Sequence, residues 1–304
     1  MKSIKVVGSR KIVLIASCLL LVLGIVFFAI RGFNLGIDFE SGISDTIRIG
    51  RSNVRIEEVR GALSGVNARV QRQGQESDST FVIRAFASDD FEKTNKEAQI
   101  VKALSDKFGE GEVQVVSSSF IGAKFSSTLI TTSLVAIAVA LVGILIYIWL
   151  RFQLSFSLAS VLTLLHDVLI LLSFIVVFRI EISSITIAAI LTIIGYSINN
   201  TIVIFDRIKE NIKLRMSGDL DLTIDTSINQ SITRTLFSSL TTLAVVVPMG
   251  IIVLNTDIRM FSLVLSVGIL LGVYSSTFVC ANILRMLSLT KKRILNPMTI
   301  AEDK

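Results

Sequence analysis

The chain has 304 residues, of which 52% are hydrophobic and 18% charged, and its mean hydropathy is +0.73. Soluble domains carry about 25% charged residues, so this composition predicts an integral membrane protein. The net charge of +6 does not indicate nucleic-acid binding, because no nucleic-acid motif accompanies it and many basic residues flank apolar segments.

The first apolar segment runs from Ile12 to Ile30, close to the roughly 20 residues that a membrane helix needs. A signal peptide is the alternative, but its h-region has roughly 7 to 15 residues, and Arg31 follows this run without a small-residue cleavage site. We therefore expect a retained first membrane helix.

Residues 31–125 have the composition of a small soluble domain. Alternating and helical spacings predict the order βαββαβ, which is typical of a ferredoxin-like layer of helices on an antiparallel sheet. The predicted strands are 43–49, 66–71, 80–86 and 113–120, and the predicted helices are 53–63, with Asn53 as N-cap, and 89–108.

Five further apolar runs lie at 128–150, 154–178, 182–205, 235–254 and 260–287. The predicted fold is therefore an α-helical polytopic membrane protein with six transmembrane helices and one small α+β ferredoxin-like extracytoplasmic domain between helices 1 and 2. The predicted division is 1–30 (cytoplasmic N-terminus and helix 1), 31–125 (extracytoplasmic domain), 126–287 (helices 2–6) and 288–304 (cytoplasmic tail).

Basic residues in the short loops predict the orientation. The N-terminus, the segments around Arg151 and Arg207 and the C-terminal tail are rich in Lys and Arg, whereas the opposite side has only Arg179 and Arg259. Both termini are therefore expected in the cytoplasm and the α+β domain outside.

The stretch from Ala188 to Asn211 is a membrane helix interrupted by polar residues, among them Tyr196, Ser197, Asn199, Asn200 and Thr201. Hydrocarbon offers no water to satisfy amides, so this helix is expected to face protein. His166 and Asp167 lie inside the third run and Arg234 lies at the start of the fifth. These ionisable groups predict a polar seam among the third, fourth and fifth helices.

Asp167 lies near the middle of its apolar run, where a carboxylate costs about 2.5 to 3.5 kcal/mol. It is interpreted either as a proton carrier, since removal from water favours the protonated form, or as a structural acid hydrogen-bonded to a neighbouring helix. His166 lies about 100° around the helix from Asp167, so the two are not expected to point into the same seam. His166 is either a relay member or a packed, hydrogen-bonded residue.

Asn200 and Arg234 are expected at similar depth, where they would meet, unless Arg234 snorkels to the interface and only anchors its helix. Asp206 and Arg207 are interpreted as part of a solvated, mutually paired helix end. Gly268 and Gly272 form a GxxxG face that predicts close helix packing.

The sequence gives little support for a zinc site or a nucleotide site. It contains one His, neither an HExxH nor a P-loop pattern, and two cysteines, Cys18 and Cys280, within long apolar runs. We therefore expect no metal, no cofactor and no enzymatic activity.

Four separated motifs together resemble the SecF family, the membrane subunits of the bacterial SecDF protein-export complex in the resistance-nodulation-division superfamily. GIDFESG resembles the family's GIDFxGG, His166–Asp167 matches its HD pair, ILTIIGYSINNTIVIFDRIKEN is similar to its GYSxNDTVVxFDRIREN signature, and Gln230, Arg234 and Thr235 fit its QTxxRT element. The motif residues carried over are Gly36, Asp38, Phe39, Gly42, Gly195, Tyr196, Ser197, Asn199, Asp206 and Arg207.

The chain departs from the family pattern at two positions. Ser41 replaces a glycine, and Asn200 replaces the aspartate that the family nominates as a proton carrier. An amide does not titrate, so either the chain is a natural or engineered variant with impaired proton use, or another acid takes this role, with Asp167 and an acid of SecD as candidates. The resemblance implies a proton pathway that includes Asp167, Asn200, Arg234 and His166.

The resemblance implies a multi-pass protein of the bacterial inner membrane that works with SecD and uses the proton-motive force to promote late preprotein translocation. The implied partners are SecD, the SecYEG channel, YajC, a YidC-type insertase, preproteins and membrane lipid, without nucleic acid. The alternative is a non-conducting scaffold that stabilises SecD and the channel. A small-molecule efflux pump is a weaker hypothesis, because the single outer domain is small and a duplicated twelve-helix chain is missing.

Overall fold

Six helices in the part of the chain that the structure describes are long and apolar enough to cross a membrane. This confirms the predicted membrane protein with six spans. The computed structural model describes residues 6–74, 76–87, 90–152, 154–214, 220–253 and 255–290. Nearly all of the predicted C-terminal tail therefore lies outside the described residues.

The long helices are α1 (Arg10–Arg31), α5 (Ala123–Arg151), α6 (Leu154–Val177), α7 (Ser184–Lys213), α8 (Leu220–Ile252) and α9 (Thr256–Tyr274), which continues through a π-helical turn (Ser275–Val279) into α10 (Cys280–Thr290). The shorter helices are α2 (Ile37–Glu40), α3 (Ile56–Ala62) and α4 (Asp90–Phe108), with 3₁₀ turns at Val7–Ser9 and Glu76–Asp78.

Between α1 and α5 lies the predicted α+β domain. Its strands β1 (Gly42–Ile49), β2 (Ala68–Gln73), β3 (Thr80–Ala85) and β4 (Val113–Ile121) form one sheet in the order β2-β3-β1-β4. All three pairings are antiparallel, which with the βαββαβ element order gives the expected ferredoxin-like arrangement. Alternate residues of β1 and β3, such as Ile43, Ile47 and Ile83, pack with Ile100 and Leu104 of α4 into the domain core.

One acid lies on the core-facing side of β1. Asp45 is fully buried, and neither of its carboxyl oxygens has a hydrogen-bond partner among the described residues. Burial raises the pKa of the Asp45 carboxyl above its ordinary value of 3.8, because the charged form loses its solvation.

Asn53 does not cap the first helix of this domain, contrary to the sequence prediction. Asn53 has a left-handed φ of 60°, and α3 begins at Ile56 with Arg55 at the N-cap and no side-chain cap. Asparagine tolerates this conformation better than most residues, so it forms the turn before the helix instead of its first position.

The fifth membrane helix is much longer than its apolar run. α8 begins at Leu220, whereas hydropathy predicted a start at 235. Ile224, Ile228 and Ile232 recur at helical spacing and are buried, and this apolar stripe holds the polar first half of the helix against the bundle.

Candidate functional site

Asp167 lies at the centre of a buried polar cluster between helices. Its side chain is 2% exposed, and its Oδ2 atom accepts hydrogen bonds from the hydroxyls of Ser197 in α7 and Ser275 in the π-helical turn, both at 2.7 Å. Hydroxyl donors offset the cost of burying a carboxylate, and they reorient easily when the acid gains a proton.

His166 joins this cluster from the same helix. Its Nδ1 atom lies 3.1 Å from Asp167 Oδ1, and its Nε2 atom lies 2.9 Å from Ser17 Oγ in α1. Ser17 is in turn 3.4 Å from the hydroxyl of Tyr274, which donates to the carbonyl oxygen of Val13. The expectation that His166 and Asp167 face different seams is therefore wrong, because the imidazole turns back towards the adjacent carboxyl.

The sixth membrane helix completes the cluster through an irregularity of its backbone. The π-helical turn at Ser275–Val279 places Ser275 and Ser276 in the buried interior. Such turns occur mostly singly inside α-helices and often at functional sites. The third and fourth membrane helices, α6 and α7, form the seam around Asp167 as predicted, but α1 and the π-helical turn of the sixth take the place of the predicted fifth helix.

Close packing of α9 on α7 brings the two serines to the acid. A Cβ at Gly268 would lie 2.1 Å from Ile193 Cδ1, and a Cβ at Gly272 would lie 3.4 Å from Ser197 Cβ. The GxxxG face therefore packs closely, as its sequence predicts, and its partner is the helix that carries Ser197.

Asn200 and Arg234 occupy different environments at the same depth. Hydrogen bonds from Tyr196 to Ser239 (3.0 Å) and from Arg207 to Gln230 (2.6 Å) fix the antiparallel register of α7 and α8 and bracket both residues. Asn200 is 2% exposed, and its Nδ2 atom has no hydrogen-bond partner within the described residues. Arg234 is exposed on the surface of α8, so the structure does not join the two side chains.

Polar motif residues also lie on the outer surface of the bundle. Gly195 and Asn199 of α7 are exposed, as is Arg234 of α8. At membrane depth an amide and a guanidinium that faced acyl chains would be costly. We call these three exposed positions the α7–α8 polar face (Gly195, Asn199, Arg234), and its amide and guanidinium are therefore suited to contact another protein.

The GIDFESG segment attaches the α+β domain to the membrane helices. At its start Leu35 pairs with Ile182 in a parallel bridge, in which Gly36 N donates to Ile182 O and Ile182 N donates to Asn34 O, both at 2.8 Å. The Oδ2 atom of Asp38 accepts hydrogen bonds from the backbone and hydroxyl of Ser184 at the start of α7 (2.8 and 2.6 Å), and Phe39 is buried in the bundle core.

The last two positions of this segment have unusual backbone angles. Ser41 has a φ of 60°, which explains why the family pattern has a glycine there. Gly42 has a φ of 155°, and a Cβ on it would lie 2.4 Å from the carbonyl oxygen of Ala85. Only glycine therefore fits at position 42 without a shift of β3.

Glu181, in the loop between α6 and α7, connects the same junction to the sheet. It pairs with Arg84 of β3, the two side chains being 13% and 16% exposed, and accepts a hydrogen bond from Gln71 of β2 at 3.1 Å. Burial raises the pKa of the Glu181 carboxyl above its ordinary value of 4.5, although Arg84 and Gln71 oppose the rise. No sequence pattern singles out Glu181, because a lone acid in a three-residue loop carries no signal of its own.

Charged motif residues at the opposite end of α7 form a paired helix end. Asp206 pairs with Arg151 at 3.0 Å, and Arg207 pairs with Glu210 at 2.7 Å while it also bonds Gln230. The four side chains of these two ion pairs are between 37% and 54% exposed, as expected for a solvated helix end.

The arrangement is suited to proton exchange. Within the described residues no group of three or more His, Cys, Asp or Glu side chains has the geometry to hold a metal ion. One carboxyl, one imidazole and several hydroxyls are instead linked in a continuous chain from Ser275 to Tyr274 through Asp167, His166 and Ser17. A hydroxyl, a neutral imidazole and a protonated carboxyl group each have both a hydrogen-bond donor and an acceptor, so a proton can pass along such a chain.

Comparisons with known proteins agree with this architecture. The family described as "Protein export membrane protein SecD/SecF, C-terminal" matches residues 100–290, and the "SecD/SecF GG Motif" matches residues 26–44, which include the GIDFESG segment. The chain is 38% identical to the protein translocase subunit SecF of Borreliella burgdorferi over 92% of this chain and 95% of that relative.

Longer relatives contain the same region within one chain. The protein translocase subunit SecDF of Brucella abortus is 37% identical over 86% of this chain, which spans 34% of that relative. The crystal structure of SecDF, a translocon-associated membrane protein from Thermus thermophilus, superposes with a TM-score of 0.81 at 31% identity, covering 94% of this chain and 39% of that one.

Proposed function

This chain belongs to the SecD/SecF family of protein-export membrane proteins, and we propose that it acts with SecD to promote late preprotein translocation by using the proton-motive force. The chain is a Sec protein-export membrane subunit, and fused SecDF relatives support its association with SecD. Its use of protons and its role late in export are our proposal.

Asp167 is the observation that carries the proposal. It is a carboxyl group buried at the middle of a membrane helix, with hydroxyl donors on two other helices and an imidazole beside it. Intramembrane acids are costly, and they commonly mark proton pathways. A proton that crosses the membrane potential supplies about 2.3 kcal/mol per 100 mV, so several protons are enough to bias a conformational change.

The α7–α8 polar face supports a pathway that SecD completes. Asn199 and Arg234 are exposed on this chain at membrane depth, and a neighbouring protein helix would satisfy them better than lipid. Because Asn200 cannot titrate, a carboxyl group of SecD opposite Arg234 would supply the second acid of the pathway.

The proposed placement follows the distribution of charge. The α+β domain (31–125) lies outside the bacterial inner membrane, and the ends of the chain (1–30 and 288–304) lie towards the cytoplasm. There the domain would hold or reposition emerging preproteins. On the family resemblance alone, SecYEG, YajC and a YidC-type insertase complete the proposed assembly.

Asn200 favours one alternative, a non-conducting scaffold that stabilises SecD and the channel. This residue replaces an acid of the family pattern, and its buried amide nitrogen lacks a partner among the described residues. A scaffold needs hydrogen bonds between helices but no titratable group at this position.

Proton uptake into vesicles that hold this chain together with SecD separates the two functions. We expect Asp167→Asn to reduce uptake by about a hundredfold, the lower part of the range for a positioned proton-transfer group. Arg234→Met is expected to reduce it, Asn200→Asp to raise it, and the exposed outer-domain control Asp106→Asn to leave it unchanged. No loss in Asp167→Asn and no gain in Asn200→Asp would establish the scaffold instead.

A further inference from the structure

A groove of about 730 Å³ lies between the α+β domain and the ends of α8 and α9. The domain contributes residues of α3 and β2, such as Arg60 and Val70, and the bundle contributes residues such as Ile251 and Leu263. The volume falls within the range of about 300 to 1,000 Å³ that is usual for small-ligand sites.

The bundle side of the groove is apolar and continues onto the membrane-facing surface. Val247 and Ile251 of α8 are 43% and 71% exposed, and Leu263 of α9 is 44% exposed. α8 and α9 approach closely at its base, since a Cβ on Gly250 would lie 2.8 Å from Ser262 Cβ. An acyl chain would find a continuous apolar wall here.

The polar part of the groove is positively charged. Arg60 and Arg72 line it from the domain and Arg259 from α9, and no Asp or Glu is among its described lining residues. Arg72 donates to the carbonyl oxygen of Val54 at 2.6 Å and lies over the ring of Phe81, which holds its guanidinium in place. Arg60 and Arg259 are exposed. Guanidinium groups bind phosphate oxygens through paired hydrogen bonds.

We propose that this groove binds one anionic phospholipid from the membrane leaflet on the side of the α+β domain. The phosphate group contacts Arg60 and Arg259 at the interface, and one acyl chain lies along Val247 and Leu263. The anionic headgroup of a phospholipid matches the arginines of the groove, and its acyl chain matches the adjoining apolar wall. An acidic protein segment would match the arginines but would leave the apolar wall to be covered separately.

Quenching of a tryptophan placed in the groove tests this proposal. The chain has a single Trp, Trp149, which lies near the far end of α5. In a Trp149→Phe background, Met260→Trp places a fluorophore on the groove lining. The protein is reconstituted with SecD in phosphatidylcholine vesicles that contain equal fractions of bromine-labelled phosphatidylglycerol or bromine-labelled phosphatidylcholine.

We expect the anionic lipid to be favoured, and each arginine to account for about a fivefold preference, the effect of about one basic residue near an anionic surface. Arg60→Gln and Arg259→Gln should each reduce the preference by about this factor, and the double variant should abolish it. Arg60→Lys with Arg259→Lys should retain most of it, and Arg48→Gln, an exposed arginine of the same domain outside the groove, should not change it.

Two results would overturn the proposal. One is equal quenching by the two lipids, or a preference that the Arg60→Gln/Arg259→Gln variant retains. The other is efficient quenching by neither lipid with SecD present but by both without it, which would show that a protein segment occupies the groove.

Discussion

Replacing Arg84 by methionine is predicted to loosen the α+β domain from the membrane helices at neutral pH. The substitution leaves Glu181 at a mostly buried position without its cationic partner. An unpaired carboxylate at a buried position loses solvation, and it escapes this penalty by taking up a proton. The free energy lost on docking is therefore limited to that of protonating a carboxyl group with an ordinary pKa of 4.5. At pH 7 this limit is about 3.4 kcal/mol, and it falls by about 1.4 kcal/mol for each pH unit below that.

Hydrogen exchange at the junction measures this cost. The amides of Gly36 and Ile182 donate to Ile182 O and Asn34 O, both at 2.8 Å, and a Cβ on Gly36 would lie 2.7 Å from Glu181 Oε1. After correction for intrinsic rates, Arg84→Met should speed exchange at these amides by up to about three hundredfold at pH 7 and by up to about thirtyfold at pH 6. The exposed pair Arg55–Glu58 offers a control, since Arg55→Met should change exchange little.

The double variant Arg84→Met/Glu181→Leu decides the physical interpretation. Because burial raises the pKa of Glu181 despite Arg84, desolvation outweighs the attraction, and an apolar pair should dock at least as firmly as the original one. For the same reason, docking of the unaltered chain is strongest below pH 4.5 and weakens as the pH rises through the raised pKa of Glu181. Exchange in Arg84→Met within threefold of the original, or a double variant as labile as the single one, would refute this reasoning.

Three further predictions concern stability. Asp45→Asn should raise the opening free energy of β1 at pH 7 by about 1 kcal/mol and flatten its pH dependence. Because the pKa of Asp45 is raised, its contribution to stability is complete below pH 3.8 and is lost as the pH rises through that raised pKa. Hydrogen exchange of β1 that is unchanged or faster in the variant would contradict this. Gly42→Ala should destabilise the domain by about 1 to 3 kcal/mol through its left-handed φ and its contact with Ala85, whereas Gly65→Ala, with no atom near the added Cβ, should not. Gly24→Ala should lower the thermal stability in detergent, because its Cβ would lie 2.3 Å from Ser173 Cβ, whereas Gly143→Ala, with open space around the added Cβ, should not. In a Cys18→Ala background, the reaction of buried Cys280 with a thiol reagent measures the unfolding of both variants. Equal melting temperatures would exclude a tight α1–α6 contact.

Local patterns in the sequence are sufficient to predict the helices and strands, but not the hydrogen-bond partners of His166 and Asp167 at the centre of the bundle. Helical length, apolar runs and strand alternation predict six spans and the βαββαβ order, because each depends on neighbouring residues. Ser17 and Ser275 contact His166 and Asp167 from 149 and 108 residues away, and each is a serine inside an apolar run. Packing of separate helices selects them, and no local pattern distinguishes them from serines that bond their own helix, such as Ser160 with Phe156 O.

The same hairpin of α6 and α7 carries both the buried acid and the attachment of the outer domain. Asp167 and Ser197 lie on its two arms, its loop presents Glu181 to the sheet, and the first residue of α7, Ser184, contacts Asp38. Ser197 lies thirteen residues beyond Ser184, about 20 Å along one continuous helix. A change in the hydroxyl contacts of Asp167 on protonation would therefore act on α7 as a rigid element whose other end contacts the domain. The domain is joined to this loop by an ion pair and backbone hydrogen bonds. Under the proposed function, a variant that detaches the domain, such as Arg84→Met, should therefore reduce preprotein export while proton uptake continues.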